Sequence, residues 1–412
     1  MSSLQPVRGT HDLLPDDSRR HRHVEETARL IAERYGFGEI VTPIFEFTEV
    51  FARTLGDTSD IVTKEMYSFT DKGGESITLR PEGTAGVARA FISGGLAQHL
   101  PLKLFYRGPM FRYERPQKGR MRQFHQVGIE ILGVETPQAD IEAITLGHHL
   151  LSALGLADKV TLELNSLGDG ESRNAYREAL VAYFSAHLDK LSEDSRNRLS
   201  RNPLRILDSK DEGDRKVIAN APLLSEYLNE ASRAFFAELL KGLTALGVAF
   251  TVNPRLVRGL DYYCHTAFEF TTTTLGAQGT VLAGGRYDGL IGQMGGPATA
   301  GIGWAAGVER LSLMLADVPA PPRPIAVIPV GADTAPQAMI LAERLRRDGH
   351  VVELGYSGNL KKRMVRANKA NARAALILGD DELARGAVMF RDLDSGEQEE
   401  IPLEKISERL KK

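Results

Sequence analysis

From Arg120 to Ile131 the sequence RMRQFHQVGIEI changes character at every step, and a period of two belongs to a strand rather than a helix. Met121, His125, Val127, Ile129 and Ile131, with Gln123, share one face. Arg120, Arg122, Phe124, Gln126, Gly128 and Glu130 share the other. Upstream, LKLFYRGPMFRYE also reads as extended, and its even positions include Arg112 and Glu114. Pro116 and Gly119 fall in a short connection, so the two runs predict a long hairpin with an apolar back and a charged face around one aromatic ring. Two readings of that face stay open. It offers arginines for phosphate oxygens (Arg112, Arg120, Arg122), a ring for stacking (Phe124) and polar groups to orient a small ligand (Gln126, Glu130, Glu114). Charged outer faces of antiparallel sheets are also common, and residue types alone favour that reading.

The length of 412 residues calls for two or three domains with sizeable cores. With 42% apolar and 25% charged residues and a net charge of −3, the composition is that of a soluble globular protein. No apolar run approaches the ~18 residues of a membrane span, so no membrane association is expected. MSSLQPVRGTHDLLP lacks the apolar core of a signal peptide. The single cysteine, Cys264, excludes an internal disulfide and zinc sites built on paired cysteines, and a cytoplasmic location is expected. A near-neutral balance means that any nucleic-acid contact must rest on local patches.

Arg19 to Tyr35 reads as a helix. EIVTPIFEF reads as a short strand whose Pro43 suggests an edge or interface position. MYSFTDKGGESITLRPEG reads as a hairpin, followed by helices from Thr84 to about Leu96 and from Asp140 to Leu154. From about 170 to 246 helical spacing dominates, and the region reads as a helical insertion. Strand patterns return in YYCHTAFEFTTTT and GTVLAGGRYDGL, and ATAGIGWAAGVERLSLMLAD reads as a strand entering a helix with Val308, Leu311 and Leu315 inward. The stiff, proline-rich DVPAPPRP includes a linker at 319–324. Beyond it, 325–412 alternates strand and helix and predicts a small α/β domain with a largely parallel sheet.

Further stretches are ambiguous by residue type. In TLRPEGTAG, Glu82 and Thr84 could serve a site or cap a helix. In RLVRGLDYY, Arg258 and Asp261 could mark a site or a turn. LAGGRYDGL and AGIGWAAGVER read as glycine-rich loops that permit close approach or simply turn. HRH at His21–His23 reads as solvated rather than metal-binding, and no metal site is expected among the protein side chains. Cys264 and His265 should face opposite ways on a strand, so neither is assigned a catalytic role. There is no GxxxxGK[ST] and no GxGxxG opening a helix after an N-terminal strand, so neither a P-loop nor a dinucleotide fold is expected.

Taken in order, RGTHDLLP, TLRPEGTAG, FRYERPQKGRMRQFHQVGIE, LVRGLDYY, GGRYDGL and GIGWAAGVER resemble bacterial histidyl-tRNA synthetases, within the class II aminoacyl-tRNA synthetases, over nearly the whole chain. FRYERPQKGRMRQFHQ matches class II motif 2, GIGWAAGVER motif 3, and EIVTPIFEF motif 1, which builds the dimer interface in that class. LVRGLDYY with GGRYDGL is specific to the histidine enzymes. The resemblance implies an α+β fold. A class II antiparallel-sheet catalytic domain would occupy 1–318, with the helical insertion at about 170–246, and an α/β anticodon-binding domain would occupy 325–412. It also implies a homodimer, the substrates ATP, L-histidine and histidine tRNA, and Mg²⁺ as cofactor.

Roles implied by matching position are as follows. Arg112 would hold the α-phosphate of ATP and Arg120 the outer phosphates. Glu114 and Phe124 would hold adenine, with Arg310 closing over its other side. Glu82, Thr84, Gln126 and Glu130 would grip the amino group and ring of histidine, and Tyr263 with Tyr287 would reach its imidazole. Arg258 would be catalytic together with Arg112, and the loop carrying Arg115, Gln117 and Lys118 would touch the tRNA acceptor end. A regulatory subunit of histidine biosynthesis built on the same core is the alternative. Such paralogues usually lack the C-terminal domain and erode the ATP-contacting residues.

Overall fold

Period-two sequences must find partners for two rows of backbone groups, and here most of them meet in one sheet. The computed structural model describes residues 4–55, 61–117, 119–257, 262–276, 279–331 and 333–410. The chain divides into two units, Met1–Val318 and Pro319–Lys412.

In the first unit the strands are β1 (Gly38–Glu39), β2 (Phe45–Phe47), β3 (Tyr67–Thr70), β4 (Ser76–Leu79), β5 (Leu102–Phe111), β6 (Gln123–Leu132), β7 (Thr161–Ser166), β8 (Thr251–Val252), β9 (Cys264–Thr271), β10 (Thr280–Arg286) and β11 (Gly301–Gly307). The main sheet has the order β1-β5-β6-β11-β10-β9-β7-β8, and its six central strands pair antiparallel. The expected hairpin is present as β5 against β6, in register from Leu102↔Leu132 to Phe111↔Gln123. It starts later than the alternation suggested. Arg120 and Arg122 precede β6 and lie in the connection, where Gln117 and Arg120 exchange backbone hydrogen bonds.

The apolar back of β6 is buried as expected. Val127, Ile129 and Ile131 join a core with Ala28 and Ile31 of α1 (Pro15–Arg34) and with other helices behind the sheet. Helix α1 begins four residues before the expected Arg19, because Pro15 at its first turn and Asp16 and Asp17 behind it start a helix well. His21 of that helix is buried, contrary to the solvated reading of HRH.

EIVTPIFEF is not one strand. Gly38–Glu39 joins the main sheet, Phe45–Phe47 joins a separate three-stranded sheet of order β2-β4-β3, and Pro43 lies in the bend between them. Proline cannot supply a ladder N–H, so the chain changes sheets there. Helix α2 (Thr48–Leu55) follows. Helix α3 (Thr84–Ser93) stops before Gly94 and Gly95, short of the expected Leu96. Helix α4 (Pro137–Ala153) packs behind the sheet.

The helical region holds α5 (Gly170–Ser185), α6 (Glu193–Arg201), α7 (Glu212–Ile218) and α8 (Glu230–Ala245). Residues from Tyr176 to Leu228 form a core of their own, whereas Leu239 and Leu243 of α8 are buried in the main core. A short helix, α9 (Leu290–Gln293), precedes β11, and α10 (Val308–Met314) follows it with Val308 and Leu311 fully buried. The two glycine-rich stretches are therefore largely the neighbouring strands β10 and β11 rather than loops.

The second unit has a five-stranded sheet of order β13-β12-β14-β15-β16, built from β12 (Ile325–Val330), β13 (Val352–Leu354), β14 (Ala374–Gly379), β15 (Ala387–Asp392) and β16 (Gln398–Pro402). The β12–β13 and β12–β14 pairs are parallel, but β14–β15 and β15–β16 are antiparallel. The sheet is thus mixed rather than largely parallel. A second-half hairpin, with Asp392 accepting N–H groups of Asp394 and Ser395 in its turn, completes it. Alternate residues of β12 point to two cores, Ile325 and Val327 to one and Ala326 and Ile328 to the other. Helices α11 (Ala335–Arg347) and α12 (Leu360–Lys369) connect the parallel strands.

Candidate active site

Phe124 and Gln126 on the even-numbered face of β6, with Arg112 and Glu114 just beyond the end of β5, line a cavity of about 590 Å³ in the first unit. Among its lining residues are Glu82, Thr84, Arg112, Glu114, Arg120, Phe124, Gln126, Tyr263, Tyr287 and Arg310, drawn from five separate stretches of sequence. Met121, expected on the apolar face, also lines it, because it precedes the strand and escapes its alternation. Arg122 does not line it. Its guanidinium lies 3.8 Å from the Tyr113 ring centre, and its Nε donates to the Glu114 carbonyl.

One end of the cavity is cationic. Arg112 donates from Nε to the Pro81 carbonyl at 2.9 Å and lies over the Phe124 ring at 5.3 Å. Glu114 stands between Arg120, at 3.0 Å, and Arg112, at 3.8 Å. Arg310 donates from Nε to the Gly119 carbonyl at 3.2 Å and from Nη1 to the Thr280 carbonyl. Burial lowers its pKa, and the charges of Arg120 and Arg112 push the same way. Three guanidiniums held together by backbone carbonyls and one carboxylate form a receptor for a polyanion.

The other end is a buried carboxylate cluster. Glu130 is fully buried; its Oε1 accepts the Thr84 hydroxyl at 2.7 Å, and Oε2 accepts the Tyr287 hydroxyl. Burial drives its pKa up to about 8 against these hydrogen bonds. Glu82 accepts the backbone N–H groups of Thr84 and Ala85 at 2.7 and 2.8 Å, so it caps α3 while lining the cavity. Burial raises its pKa as well.

Glycines give this cluster its room. A Cβ at Gly303 would collide with Glu130, one at Gly285 would lie 2.7 Å from the Tyr263 ring, and one at Gly128 would collide with Tyr106. Tyr106 was not singled out in the sequence. It sits under the floor on β5, where the hairpin register puts it opposite Gly128, and a bulky even-numbered residue facing a glycine was the available signal. Tyr262 was also missed as a lining residue; its ring lies 4.6 Å from that of Tyr263 and meets Tyr287 edge-on. Glu269 and Thr280, joined by a 2.8 Å hydrogen bond, line the wall.

Arg115 and Gln117 are exposed on the β5–β6 connection and do not line the cavity. Arg258, Asp261 and Lys118 lie outside the described residues. Cys264 and His265 do not alternate as expected. His265 has φ +43°, and the β9–β10 register shifts beside Arg286, so the strand's facing rule fails there. The His265 ring stacks on Phe235 at 4.6 Å, and burial pushes the Cys264 thiol up to about 12, so neither is poised for chemistry. Arg286, the residue before Tyr287, is completely buried against Asp140.

An antiparallel sheet carrying arginines at one end of a single cavity and buried acids at the other has the form of a class II aminoacyl-tRNA synthetase active site, which activates an amino acid with a nucleotide. Comparison narrows the class. The sequence profile described as "Histidyl-tRNA synthetase" matches residues 9–311, and the "Anticodon binding domain" profile matches 324–412. The chain is 70% identical to the histidine–tRNA ligase of Rhodospirillum rubrum, over 100% of this chain and 99% of that one. It is 54% identical to that of Wolbachia pipientis wMel, over 98% and 99%. The crystal structure of apo S. aureus histidyl-tRNA synthetase superposes with a TM-score of 0.85 at 35% identity, covering 100% of both chains. The chain belongs to the histidyl-tRNA synthetase family. A Bacillus halodurans structure titled as an ATP phosphoribosyltransferase regulatory subunit/histidyl-tRNA synthetase shares the fold, with a TM-score of 0.66 at 21% identity.

Proposed function

We propose that the chain is a histidine–tRNA ligase, activating L-histidine with ATP and transferring it to the terminal adenosine of histidine tRNA. One observation carries the assignment: a single cavity is lined at one end by an arginine triad, Arg112, Arg120 and Arg310, and at the other by Glu82, Thr84 and Tyr287, the last two hydrogen-bonded to Glu130 buried behind them. A polyphosphate suits the first and an amino acid with two polar ends suits the second. The regulatory alternative is weaker, because the arginines remain and the anticodon-binding profile matches.

In the first step a carboxylate oxygen of histidine attacks the α-phosphorus, and the bond to the bridging oxygen of pyrophosphate breaks. Arg112 is the residue for the α-phosphate and Arg120 for the outer phosphates. Phe124 stacks on adenine with Glu114 at its edge, and Arg310 closes the other side. Glu82, Thr84, Gln126 and Glu130 take the amino group and ring, with Tyr263 and Tyr287 at the imidazole. Arg258 neutralises charge where carboxylate and phosphate meet. In the second step a ribose hydroxyl of the tRNA attacks the acyl carbon and AMP leaves. Both steps depend on positioning and charge neutralisation, with no covalent enzyme intermediate.

Glu269, hydrogen-bonded to Thr280 on the cavity wall, is the carboxylate suited to Mg²⁺, a hard cation that takes one or two carboxylates alongside phosphate oxygens. When bound, it would neutralise the phosphates. Arg115, Gln117 and Lys118 are assigned to the acceptor end of the tRNA. The second unit is assigned to the anticodon side, a reading supported by its profile match. Among the described residues no helix is long and apolar enough to cross a membrane. A cytoplasmic location accords with a lone, unpaired cysteine. A homodimer is favoured by the exposed apolar surface around the motif 1 match, where Val41 is 80% exposed and Phe45 and Phe47 are more than half exposed.

Mixing enzyme, ATP and L-histidine in a single turnover tests the reaction order. It should release pyrophosphate and leave histidyl-adenylate on the protein, which tRNA then discharges. Release of ADP and phosphate instead would contradict the scheme.

A further inference from the structure

We propose that His21, His125 and Glu309 form a binding site for one divalent, borderline-soft cation of the zinc type, centred between α1 and β6, with Glu309 also bordering the nucleotide cavity. The three residues come from α1, β6 and the first turn of α10, and they offer one ligand atom each, all within 4.8 Å of one another. Two imidazole nitrogens and a carboxylate oxygen are the donor set of many zinc sites with one open position, and a poor match for Mg²⁺.

The geometry is built rather than incidental. His21 is 8% exposed and Glu309 9%. Both Glu309 oxygens accept the His125 backbone N–H at 2.9 Å, and Oε1 also lies 2.9 Å from His125 Nδ1. That contact fixes the carboxylate and one ring. The His21 ring meets the His125 ring edge-on at 5.6 Å, yet its Nδ1 is buried without a hydrogen-bond partner. An orphaned ring nitrogen is costly in an interior, and a cation beside the carboxylate would satisfy it. Tetrahedral ligands about 2.05 Å from zinc stand about 3.4 Å apart, so side-chain rotations closing roughly 1.5 Å would complete the site. The half-buried Glu25 of α1 adds negative charge close enough to act on His125. A bound ion would clip α1 to the strand after Phe124 and to the helix residue before Arg310.

The test uses the full-length chain stripped of metal with a chelator and then titrated with Co²⁺ and, in competition, with Zn²⁺. One equivalent of Co²⁺ should give a visible band of four- or five-coordinate intensity that Zn²⁺ abolishes, and Zn²⁺ should raise the thermal midpoint. His21→Ala and His125→Ala should each weaken Co²⁺ binding at least about tenfold. His21→Gln, which keeps a polar side chain, should fold and lose the band while retaining pyrophosphate exchange measured with Mg²⁺ and without Co²⁺ or Zn²⁺. No band in the parent protein, or an unchanged affinity in His21→Gln, would overturn the proposal, the second by placing the ion elsewhere.

Discussion

The Thr84 hydroxyl donates to Glu130 Oε1 at 2.7 Å, across 46 residues of sequence and beneath a cavity that neither residue could form alone. With Glu130 serving the histidine amino group as proposed, that carboxyl, pushed up to about 8 by burial, should make histidine binding pH-dependent. The cationic amino group of histidine favours the ionised form, so binding below pH 8 should release a proton. Calorimetry in buffers of differing ionisation enthalpy should show that release, diminishing above pH 8. Glu130→Gln should remove it and weaken histidine binding by about 10–100-fold, the loss of a hydrogen bond to a charged group.

The same shift sets a stability trend. A carboxyl whose folded pKa lies above its unfolded value contributes stability that is fully present below the unfolded value, near 4.5, and is lost as pH rises through about 8. Urea midpoints of Glu130→Gln should therefore fall less than those of the parent between those two pH values. Parallel curves would mean that Glu130 does not titrate in the fold.

Arg286 and Asp140 are both fully buried and paired, so removing Asp140 leaves the Arg286 guanidinium deep in the fold with only the partly exposed Asp288 beside it. Asp140→Ala should cost about 3–5 kcal/mol of stability, measured by equilibrium denaturation. Because Tyr287 follows Arg286, the KM for histidine should also rise. A loss under 1 kcal/mol would show that the pair is dispensable.

Arg258 lies outside the described residues, and its role rests on the LVRGLDYY resemblance. Arg258→Ala should slow adenylate formation by about 10²–10³-fold with little change in histidine or ATP affinity. Arg258→Lys should rescue poorly, since an ammonium lacks the planar fork. Normal single-turnover adenylation with reduced thermal stability would make it a brace for the turn instead.

Sedimentation at low micromolar concentration should give twice the 45.2 kDa chain mass. Phe45→Glu with Phe47→Glu should shift it to the monomer, because two charges would enter an apolar interface. A fully active monomer of the parent chain would contradict the assembly.

Much of this site was legible because strand alternation and short motifs are local. The apolar back of β6, the lining residues Phe124 and Gln126, and the arginines followed from spacing and resemblance. What was missed depends on tertiary pairing. Tyr106 becomes part of the floor only through its register opposite Gly128, and His21 is buried only because α1 packs behind β6. Pro43 moved from a strand to a bend because two sheets, invisible in sequence, divide the segment. Lys362, Arg366, Lys369 and Arg373 have the i, i+4, i+7, i+11 spacing that predicts one cationic helix face, but the row is shorter in the fold. Helix α12 ends at Lys369, Asn371 adopts φ +54°, and Arg373 instead binds the Leu410 carbonyl. Only Lys362, Arg366 and Lys369 stay on the helix. Neutralising Lys362 and Arg366 should weaken tRNA binding and flatten its salt slope by about one unit per lost phosphate contact. An unchanged slope would remove this helix from the tRNA surface.

The amino acid that drives exchange of labelled pyrophosphate into ATP decides whether the chain is a histidine–tRNA ligase. L-Histidine alone should support it. An analogue lacking the ring N–H should fall short by roughly 10⁴-fold, because the buried polar groups of the pocket would be left unpaired. Exchange driven by another amino acid, or none with any, would contradict the assignment.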